Sequence, residues 1–323
     1  MRALQITRLE GPSALEIADI AEPTAAPDEI MIEVHRTGIS FPDLLMTRGL
    51  YQVKPELPFV PGTEVGGIVV SAPPGSWATP GTRVAAYVHT GGCQELVAAP
   101  ADRVFPLPDR MSFAEGAATP INSLTAHFAL TVRGRLAPGE TVLVHGAAGG
   151  LGVALVQIAS ALGARVIAVA SDEPKRQVAL AAGADVAIPV EDFLTAVREL
   201  TDGQGVDVVS DPVGGDRVTD SLRSLRPLGR LLVLGFTGGE IPSIKVNRLL
   251  LNNVEAVGVG WGAYALPRPG YPRQQWDELM PLLEAAGVTP VVTSEVSLDQ
   301  VPAALFAMES RTLLGKTVAI VRD

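Results

Sequence analysis

Residues 141–152 read Thr-Val-Leu-Val-His-Gly-Ala-Ala-Gly-Gly-Leu-Gly, and they decide the fold. An apolar strand runs into a glycine-rich turn, and the turn opens a segment whose apolar residues recur at helical spacing. Glycines let the backbone turn tightly and approach a phosphate, and free N–H groups at a helix start attract negative charge. This strand–turn–helix unit predicts a dinucleotide site. Because it begins near the middle of a chain of 323 residues, we expect another domain before it.

The composition is that of a folded protein, with 47% hydrophobic residues and a length typical of two domains. A net charge of −10 argues against nucleic acid or an anionic membrane as the main partner. Cys93 is the only cysteine, so an intramolecular disulfide is impossible, which fits a reducing cytoplasm. We find no signal peptide and no apolar run of ~18 residues, and therefore expect a cytoplasmic location.

Two sequence patterns divide the chain. Up to about residue 118, short apolar or alternating runs are broken by proline and glycine, which predicts a compact antiparallel β domain. From Ser112 helices and strands alternate, and the first segment, Phe113–Thr131, is helical in character. Strands that are apolar on both faces and separated by helices predict a doubly wound parallel sheet of about six strands. After Trp261 the periodicity weakens, and Thr317–Val321 predicts a terminal strand.

The end of the second predicted parallel strand favours one dinucleotide. Ala170 and Ser171 stand where an NAD site has an acidic residue for the ribose hydroxyls. Lys175 and Arg176 follow, and their positive charge suits a 2′-phosphate. We therefore expect NADPH. The alternative interpretation is that these two basic residues only form the exposed face of a helix.

Further motifs resemble one family, in order along almost the whole chain. They are Gly38–Asp43, Arg48–Tyr51, Leu57–Gly67, Leu124–Ala126, the turn Ala147–Gly152, Asp211–Asp216 and Gly315–Lys316. Together they resemble the zinc-free medium-chain dehydrogenases/reductases, and among these the NADPH:quinone oxidoreductase, or zeta-crystallin-like, branch. The resemblance implies a GroES-like substrate and catalytic domain from residues 1–118 and 260–323. It also implies a Rossmann NADPH-binding domain from residues 119–259 with a six-stranded sheet, and an active site in the interdomain cleft.

No metal is expected. Zinc-dependent members of this superfamily place a Cys near position 40 and a His beside Glu64, and carry a lobe with four cysteines. Ser40 and Thr63 occupy those places here, and the four histidines of the chain have no close spacing of a ligand cluster. We therefore expect neither a catalytic nor a structural zinc.

Without a metal to stabilise an alkoxide, the suitable substrates are those that accept hydride readily, such as quinones, enones and enoyl thioesters. The resemblance implies three catalytic candidates. Ser40 would donate a hydrogen bond near the nicotinamide, Tyr51 would be a donor or proton source, and Thr125 would contact the nicotinamide region. Leu45 stands where relatives have a second tyrosine.

The other site candidates have binding roles. Those expected to bind the cofactor are Ala148, Gly149, Gly150, Leu151, Gly152, Ser171, Lys175, Arg176, Phe236 and Arg311. Asn247 and Trp261 are expected to line the substrate cleft, with hinge packing as the alternative for Trp261. The leading hypothesis is an NADPH-dependent reductase of a quinone or other conjugated carbonyl. The alternatives are an acryloyl-CoA-like enoyl-thioester reductase and a weakly active NADPH-binding protein.

The run Val254–Val259 predicts how the chain assembles. It is expected to form an edge strand of the parallel sheet, and an open apolar edge invites pairing with a second copy. We therefore expect a homodimer through this strand.

Overall fold

A computed structural model describes residues 1–322, which form two compact units. The first unit contains Met1–Asn122, Arg268–Asp277 and the chain from Thr289 onward. The second contains Ser123–Pro267 and Glu278–Val288. Residues 278–288 thus group with the second unit, although the sequence assigned them to the first domain, and the predicted domain bounds stay predictions.

The strands are, in chain order, β1 (Arg2–Ile6), β2 (Leu15–Asp19), β3 (Glu29–Gly38), β4 (Glu64–Ser71), β5 (Arg83–Tyr87), β6 (Leu96–Pro100), β7 (Val104–Pro106), β8 (Thr141–His145), β9 (Arg165–Val169), β10 (Val186–Ile188), β11 (Val206–Asp211), β12 (Leu225–Val233), β13 (Glu255–Gly258), β14 (Ser294–Ser297) and β15 (Thr317–Ile320).

The α-helices are α1 (Phe41–Thr47), α2 (Phe113–Ala118), α3 (Pro120–His127), α4 (Gly150–Ala161), α5 (Glu173–Ala181), α6 (Phe193–Leu200), α7 (Val218–Arg223), α8 (Asn247–Asn252), α9 (Trp261–Ala265), α10 (Tyr271–Ala285) and α11 (Val301–Glu309). Short 3₁₀ turns cover Pro12–Ala14, Ala101–Arg103, Gly215–Arg217 and Leu298–Gln300, and Phe128–Arg133 is π-helical.

A mixed sheet organises the first unit, with strand order β14-β15-β3-β4-β5-β7 and β6 also paired to β3. Its longest strand, β3, buries Ile30, Ile32 and Val34 at alternate positions, because successive side chains of a strand point to opposite faces. The terminal strand β15 pairs antiparallel with β3, with Val318 opposite Gly38. Strand β15 therefore lies inside the first sheet, between β14 and β3.

A six-stranded sheet organises the second unit, in the order β10-β9-β8-β11-β12-β13, and every pairing in it is parallel. This confirms the predicted doubly wound sheet. The strand order reverses direction between β8 and β11, and ligands of such sheets bind at the carboxyl ends of the strands at this point. The last strand, β13, is at the sheet edge, and Glu255, Ala256 and Gly258 of this strand are exposed.

Prolines lie within two elements of the fold. The segment Phe113–Thr131 is helical, as predicted, and is divided into α2, α3 and the π-helical segment; Pro120, where α3 begins, has no N–H to donate to the carbonyl of Gly116. Strand β12 runs from Leu225 to Val233 and passes through Pro227, which has no N–H to donate to a neighbouring strand. No helix within residues 1–322 is long and apolar enough to cross a membrane.

Candidate active site

The first group of candidate residues lies where α1 begins. Ser40 precedes the helix in an extended conformation, and its N–H donates to Asp43 Oδ2 over 2.8 Å. The other carboxylate oxygen of Asp43 accepts from the N–H of Gly62 over 3.0 Å. Burial raises the pKa of Asp43 to about 7, against the opposite influence of these N–H groups and of Lys316. Asp43 therefore ties the helix start to the segment before β4.

A buried ion pair meets the Ser40 side chain. Ser40 Oγ donates to Glu64 Oε1 over 2.7 Å, and Lys316 Nζ pairs with the same carboxylate oxygen. The same Nζ donates to Ser40 Oγ over 2.7 Å and to the Ile39 carbonyl over 3.0 Å. The second carboxylate oxygen of Glu64 accepts from the N–H of Ile121 over 2.8 Å. Both charges are thus buried and hydrogen-bonded, which is the condition under which a buried ion pair is tolerated.

Gly38 makes room for this carboxylate. A Cβ at Gly38 would lie 2.2 Å from the Ala117 carbonyl oxygen and 2.7 Å from Glu64 Oε1. Any larger residue would therefore displace Glu64 or α2. This close approach explains why the Gly-Ile-Ser motif begins with glycine.

Two tyrosines lie near these charges. Tyr51 packs against the apolar cluster of the first unit, and burial, with a smaller influence of Asp43, raises its pKa. Tyr87 ends β5 directly opposite Glu64, and its hydroxyl is 3.4 Å from His89 Nδ1. Burial raises the pKa of Tyr87 as well, and Tyr51 adds to this effect. Both phenols are protonated at neutral pH and can donate hydrogen bonds. The sequence reasoning did not include Tyr87.

The glycine turn has the geometry that its sequence predicts. Gly146 has φ +59°, a left-handed conformation that glycine adopts at little cost. The first i→i−4 bond of α4 is from Val153 N to the Gly149 carbonyl over 2.8 Å, so the N–H groups before it precede the helical ladder. A Cβ at Gly152 would lie 2.1 Å from the Gly146 carbonyl oxygen, whereas one at Gly149 would have only ordinary contact at 3.5 Å. Gly149 is the exposed glycine of the turn.

The end of β9 brings two predicted cofactor residues together. Lys175 Nζ donates to Ser171 Oγ over 2.9 Å and lies 3.1 Å from Asp172 Oδ2. Asp172 caps α5, and the bond from the Lys175 N–H is the main reason that its pKa is lowered. Arg176 instead pairs with Glu173 over 2.8 Å. Ser171 Oγ donates in turn to Asp172 Oδ2 over 2.9 Å. Lys175, Ser171 and Asp172 thus form one polar cluster, and the arginine is in a separate ion pair.

Polar side chains also hold the carboxyl ends of the central strands. Asp211, at the end of β11, accepts from the N–H groups of Val213 and Gly214 over 2.8 and 2.9 Å. His145, at the end of β8, is 2.9 Å from Ser221 Oγ, and burial lowers its pKa. The Asp211 contacts fix the loop after β11, and the His145 contact joins the end of β8 to α7.

Phe236 belongs to the same edge of the second unit. It is 37% exposed, and a Cβ added at Gly214 would lie 2.9 Å from its ring. Gly214 itself has φ +67°, so the loop after β11 needs a glycine for its conformation as well as for this contact. Phe236 therefore packs on the loop that Asp211 holds.

Two known domain families match this chain. The alcohol dehydrogenase GroES-like domain matches residues 26–109, and the zinc-binding dehydrogenase domain matches residues 150–285. A quinone oxidoreductase-like protein 2 homolog from Nematostella vectensis is 36% identical over 98% of this chain and 88% of its own length. The chain belongs to the zinc-free quinone oxidoreductase family. The rat quinone oxidoreductase is 30% identical over 93% of this chain and 91% of its own length.

Solved structures agree with this membership. A probable oxidoreductase from Mycobacterium abscessus has a TM-score of 0.91 and 41% identity, covering 99% of this chain and 98% of that one. Escherichia coli quinone oxidoreductase complexed with NADPH has a TM-score of 0.89 and 30% identity, covering 99% and 100%. The fold of this family member is therefore a GroES-like domain joined in sequence to a Rossmann domain.

The name of the second matching domain refers to zinc. Within residues 1–322, no group of three or more His, Cys, Asp or Glu side chains is arranged to hold a metal ion. Cys93 is buried, and burial raises the pKa of its thiol.

The remaining predicted site residues belong to both units. Thr125 is half-buried on α3, Asn247 is exposed at the start of α8, and Trp261 is 5% exposed at the start of α9. Arg311 is exposed in the first unit with φ +59°. The roles proposed for these side chains stay predictions.

Sequence reasoning missed Glu64, Lys316 and Asp43 as parts of the site, although all three lie in the motifs that carry the family resemblance. The available signal was a charged residue inside an apolar context, as in Pro61-Gly62-Thr63-Glu64-Val65. A charged group enters such a context at low cost only when a partner is buried with it. That partner is 252 residues away in the sequence.

Proposed function

We propose that this protein is an NADPH-dependent reductase that transfers hydride to a quinone or another conjugated carbonyl without a metal. The observation that carries the proposal is the contact between Lys175 and Ser171 at the end of β9, beside the glycine turn. A lysine and a hydroxyl, with no acid at the ribose position, suit the 2′-phosphate that separates NADPH from NADH. Relatives solved with NADPH support the same cofactor.

The turn fits a pyrophosphate. The N–H groups of Gly150, Leu151 and Gly152 precede the first helical bond of α4, and Gly149 is exposed without a side chain beside them. Such a helix start favours an anion through its N–H groups and its dipole. When bound, the reduced nicotinamide supplies a hydride.

The chain's own residues would then stabilise charge on the substrate oxygen. Tyr51 is the proposed donor or proton source, and its raised pKa keeps the phenol protonated at neutral pH. Thr125 is proposed to contact the nicotinamide. The hydroxyls of Ser40 and Thr63 replace the thiol and imidazole that a zinc ion prefers. Conjugated acceptors therefore suit the site, because they delocalise the charge that a metal would otherwise stabilise.

The test is a spectrophotometric assay of NADPH oxidation with 1,4-benzoquinone, 9,10-phenanthrenequinone, an alkenal and crotonyl-CoA. We expect turnover with the quinones and a clear preference for NADPH over NADH. A preference for crotonyl-CoA would instead identify an enoyl-thioester reductase. Absence of oxidation with every acceptor, together with measurable NADPH binding, would identify a cofactor-binding protein and overturn the reductase proposal.

Assembly and location belong to the same proposal. Val246, Leu250 and Leu251 are each more than 70% exposed around α8, in the same unit as the edge strand β13. Exposed apolar side chains and an unpaired strand edge are both surfaces that a second copy would cover. We propose a homodimer through β13, in the reducing cytoplasm that a single buried cysteine suits.

A further inference from the structure

Two buried polar atoms stand side by side at the carboxyl ends of the central strands of the second unit. They are Nδ1 of His145, which ends β8, and Oδ2 of Asp211, which ends β11. Neither atom has a hydrogen-bond partner in the part of the chain that the structure describes. The residues before them, Val144 and Ser210, are paired in the parallel sheet, so both side chains point to the same face. Buried polar groups of native proteins are nearly always hydrogen-bonded, so these two atoms need a partner.

The two side chains are each held in place by other contacts. His145 Nε2 is 2.9 Å from Ser221 Oγ, and Phe193 packs edge-on against the imidazole with ring centroids 4.8 Å apart. The carboxylate of Asp211 is held through its other oxygen, which accepts two N–H groups of the following loop. Side chains of neighbouring strands start about 4.8 Å apart, which is longer than a direct hydrogen bond. One water molecule spans such a gap between polar atoms.

The chemistry of these groups sets the direction of each hydrogen bond. A carboxylate only accepts, so a bridging water donates to Asp211 Oδ2. Burial lowers the pKa of His145, against the opposite influence of the Asp211 charge, so the ring is neutral at neutral pH and has one N–H group. If the hydroxyl of Ser221 donates to Nε2, this N–H is at Nδ1 and donates to the water. Every polar atom from Ser221 to Asp211 then has a partner.

We propose that His145 Nδ1 and Asp211 Oδ2 bind one buried water molecule, and that both residues are positioning residues for the glycine turn. The turn begins directly after His145, and the loop after β11 packs on it, since a Cβ at Gly146 would lie 3.1 Å from Val213 Cγ2. Asp211 also accepts from the N–H of Val213 in this loop. The water therefore joins the turn and the loop at the place where their apolar groups meet. The consequence for NADPH rests on the proposed function, whereas the water site does not.

The direct test uses the full-length parent protein. A high-resolution crystal structure should show a solvent peak at hydrogen-bond distance, about 2.6–3.2 Å, from both atoms. Proton–nitrogen correlation NMR with isotope-labelled histidine should identify the His145 ring as the tautomer with its N–H at Nδ1. The variant His145→Phe identifies its signal among those of the four histidines. A direct bond between the ring and the carboxylate, a site without solvent, or an N–H at Nε2 would overturn the proposal.

Two substitutions separate the two ring nitrogens. His145→Asn keeps a polar atom near the position of Nδ1, whereas His145→Gln keeps one near that of Nε2. We expect the water to persist only in the asparagine variant. Loss of one hydrogen bond corresponds to about a five- to tenfold change in an equilibrium constant, so NADPH should bind more weakly to His145→Gln than to His145→Asn by up to this factor. Thermal unfolding checks that both variants are folded.

The dinucleotides distinguish this role from that of Lys175. NADPH and NADH should weaken by the same factor in His145→Gln, because the turn is expected to hold the pyrophosphate that both share. Equal NADPH affinities of the asparagine and glutamine variants would refute the positioning role. A parent protein that does not bind NADPH would refute the proposed function, whereas the solvent peak and the tautomer would still decide the water site.

Discussion

Lys175 Nζ lies 2.9 Å from Ser171 Oγ, so the first turn of α5 and the end of β9 share one polar cluster. Asp172 lies 3.1 Å from this ammonium group and offsets part of its charge. The ammonium group can turn towards a phosphate, because a lysine side chain has four rotatable bonds and three donors.

We expect Lys175→Glu to weaken NADPH binding by about 10- to 100-fold, since a charge-assisted contact to the phosphate is replaced by repulsion. The affinity for NADH, which lacks the 2′-phosphate, should fall by at most a few-fold. Fluorescence titration with each dinucleotide measures both values. Arg165→Glu is the matched control, because Arg165 is at the opposite end of β9. Equal losses for NADPH and NADH would contradict the assignment of Lys175 to the phosphate.

The Glu64–Lys316 pair gives a stability prediction. Lys316→Met should reduce the free energy of unfolding by about 3–5 kcal/mol, because it leaves the Glu64 carboxylate buried and unpaired. The double variant Glu64→Gln/Lys316→Met should recover most of this loss, since no charge remains buried. Urea denaturation of the three proteins measures the difference. A single variant as stable as the parent protein would show that solvent or another cation reaches Glu64.

Asp43 gives a pH prediction. Its ordinary pKa of 3.8 is raised to about 7 by burial, so the folded protein holds the proton more tightly than the unfolded chain. The stability contributed by this group is complete below pH 3.8 and is lost as the pH rises to about 7. The loss is steepest between these values, at up to about 1.4 kcal/mol per pH unit.

Asp43→Asn separates this effect from other titrations, because an amide does not ionise in this range. The side-chain oxygen of Asn can accept from one of the two N–H groups, so the variant should be less stable at low pH by about 1–3 kcal/mol. Its disadvantage should shrink as the pH approaches 7. Urea midpoints at pH 5, 6, 7 and 8 test this trend. Parallel pH profiles for the two proteins would refute the raised pKa.

Two glycines of the turn should respond differently to alanine. Gly152→Ala places a Cβ 2.1 Å from the Gly146 carbonyl oxygen, so we expect a lower melting temperature and loss of NADPH binding. Gly149→Ala meets only an ordinary contact, so its melting temperature should change little. The added methyl group at an exposed phosphate position should still weaken NADPH binding. A normal melting temperature for Gly152→Ala would contradict the close packing.

The exposed side chains around α8 predict an association test. The parent protein should have the mass of a dimer by light scattering at micromolar concentration, and Leu250→Glu/Leu251→Glu should shift it towards the monomer. The charged pair would be placed in an apolar interface, which is unfavourable without partners. Leu228→Glu, another highly exposed leucine outside α8, is the comparison variant. A monomeric parent protein would refute the homodimer.

Local sequence patterns predicted the second unit well. The strand Thr141–His145 has the bounds that the pattern indicated, and α4 begins at Gly150 as expected. Each of these features is determined by residues that are close together in the sequence. Local patterns were less reliable near Pro120 and Pro227. A proline normally ends a strand, but β12 continues through Pro227 because it pairs with neighbouring strands.

The candidate site was less accessible to sequence reasoning. Ser40 was identified as a polar residue of the site, but its donor or acceptor role depends on Glu64 and Lys316, which come from distant parts of the chain. Tyr87 was missed because its relation to Glu64 is a cross-strand register, which no local pattern reveals. Whether a hydroxyl donates or accepts depends on the groups that surround it in the folded protein, and a sequence motif does not contain this information.

The insertion of β15 between β14 and β3 also has a consequence for biosynthesis. The ribosome must translate past Ile320 before the first sheet has the strand between β14 and β3, and past Lys316 before Glu64 has its cation. The parallel sheet of the second unit, whose strands end at Gly258, is complete about sixty codons earlier. A nascent chain should therefore be able to assemble the parallel sheet of its second unit while the first unit still lacks β15.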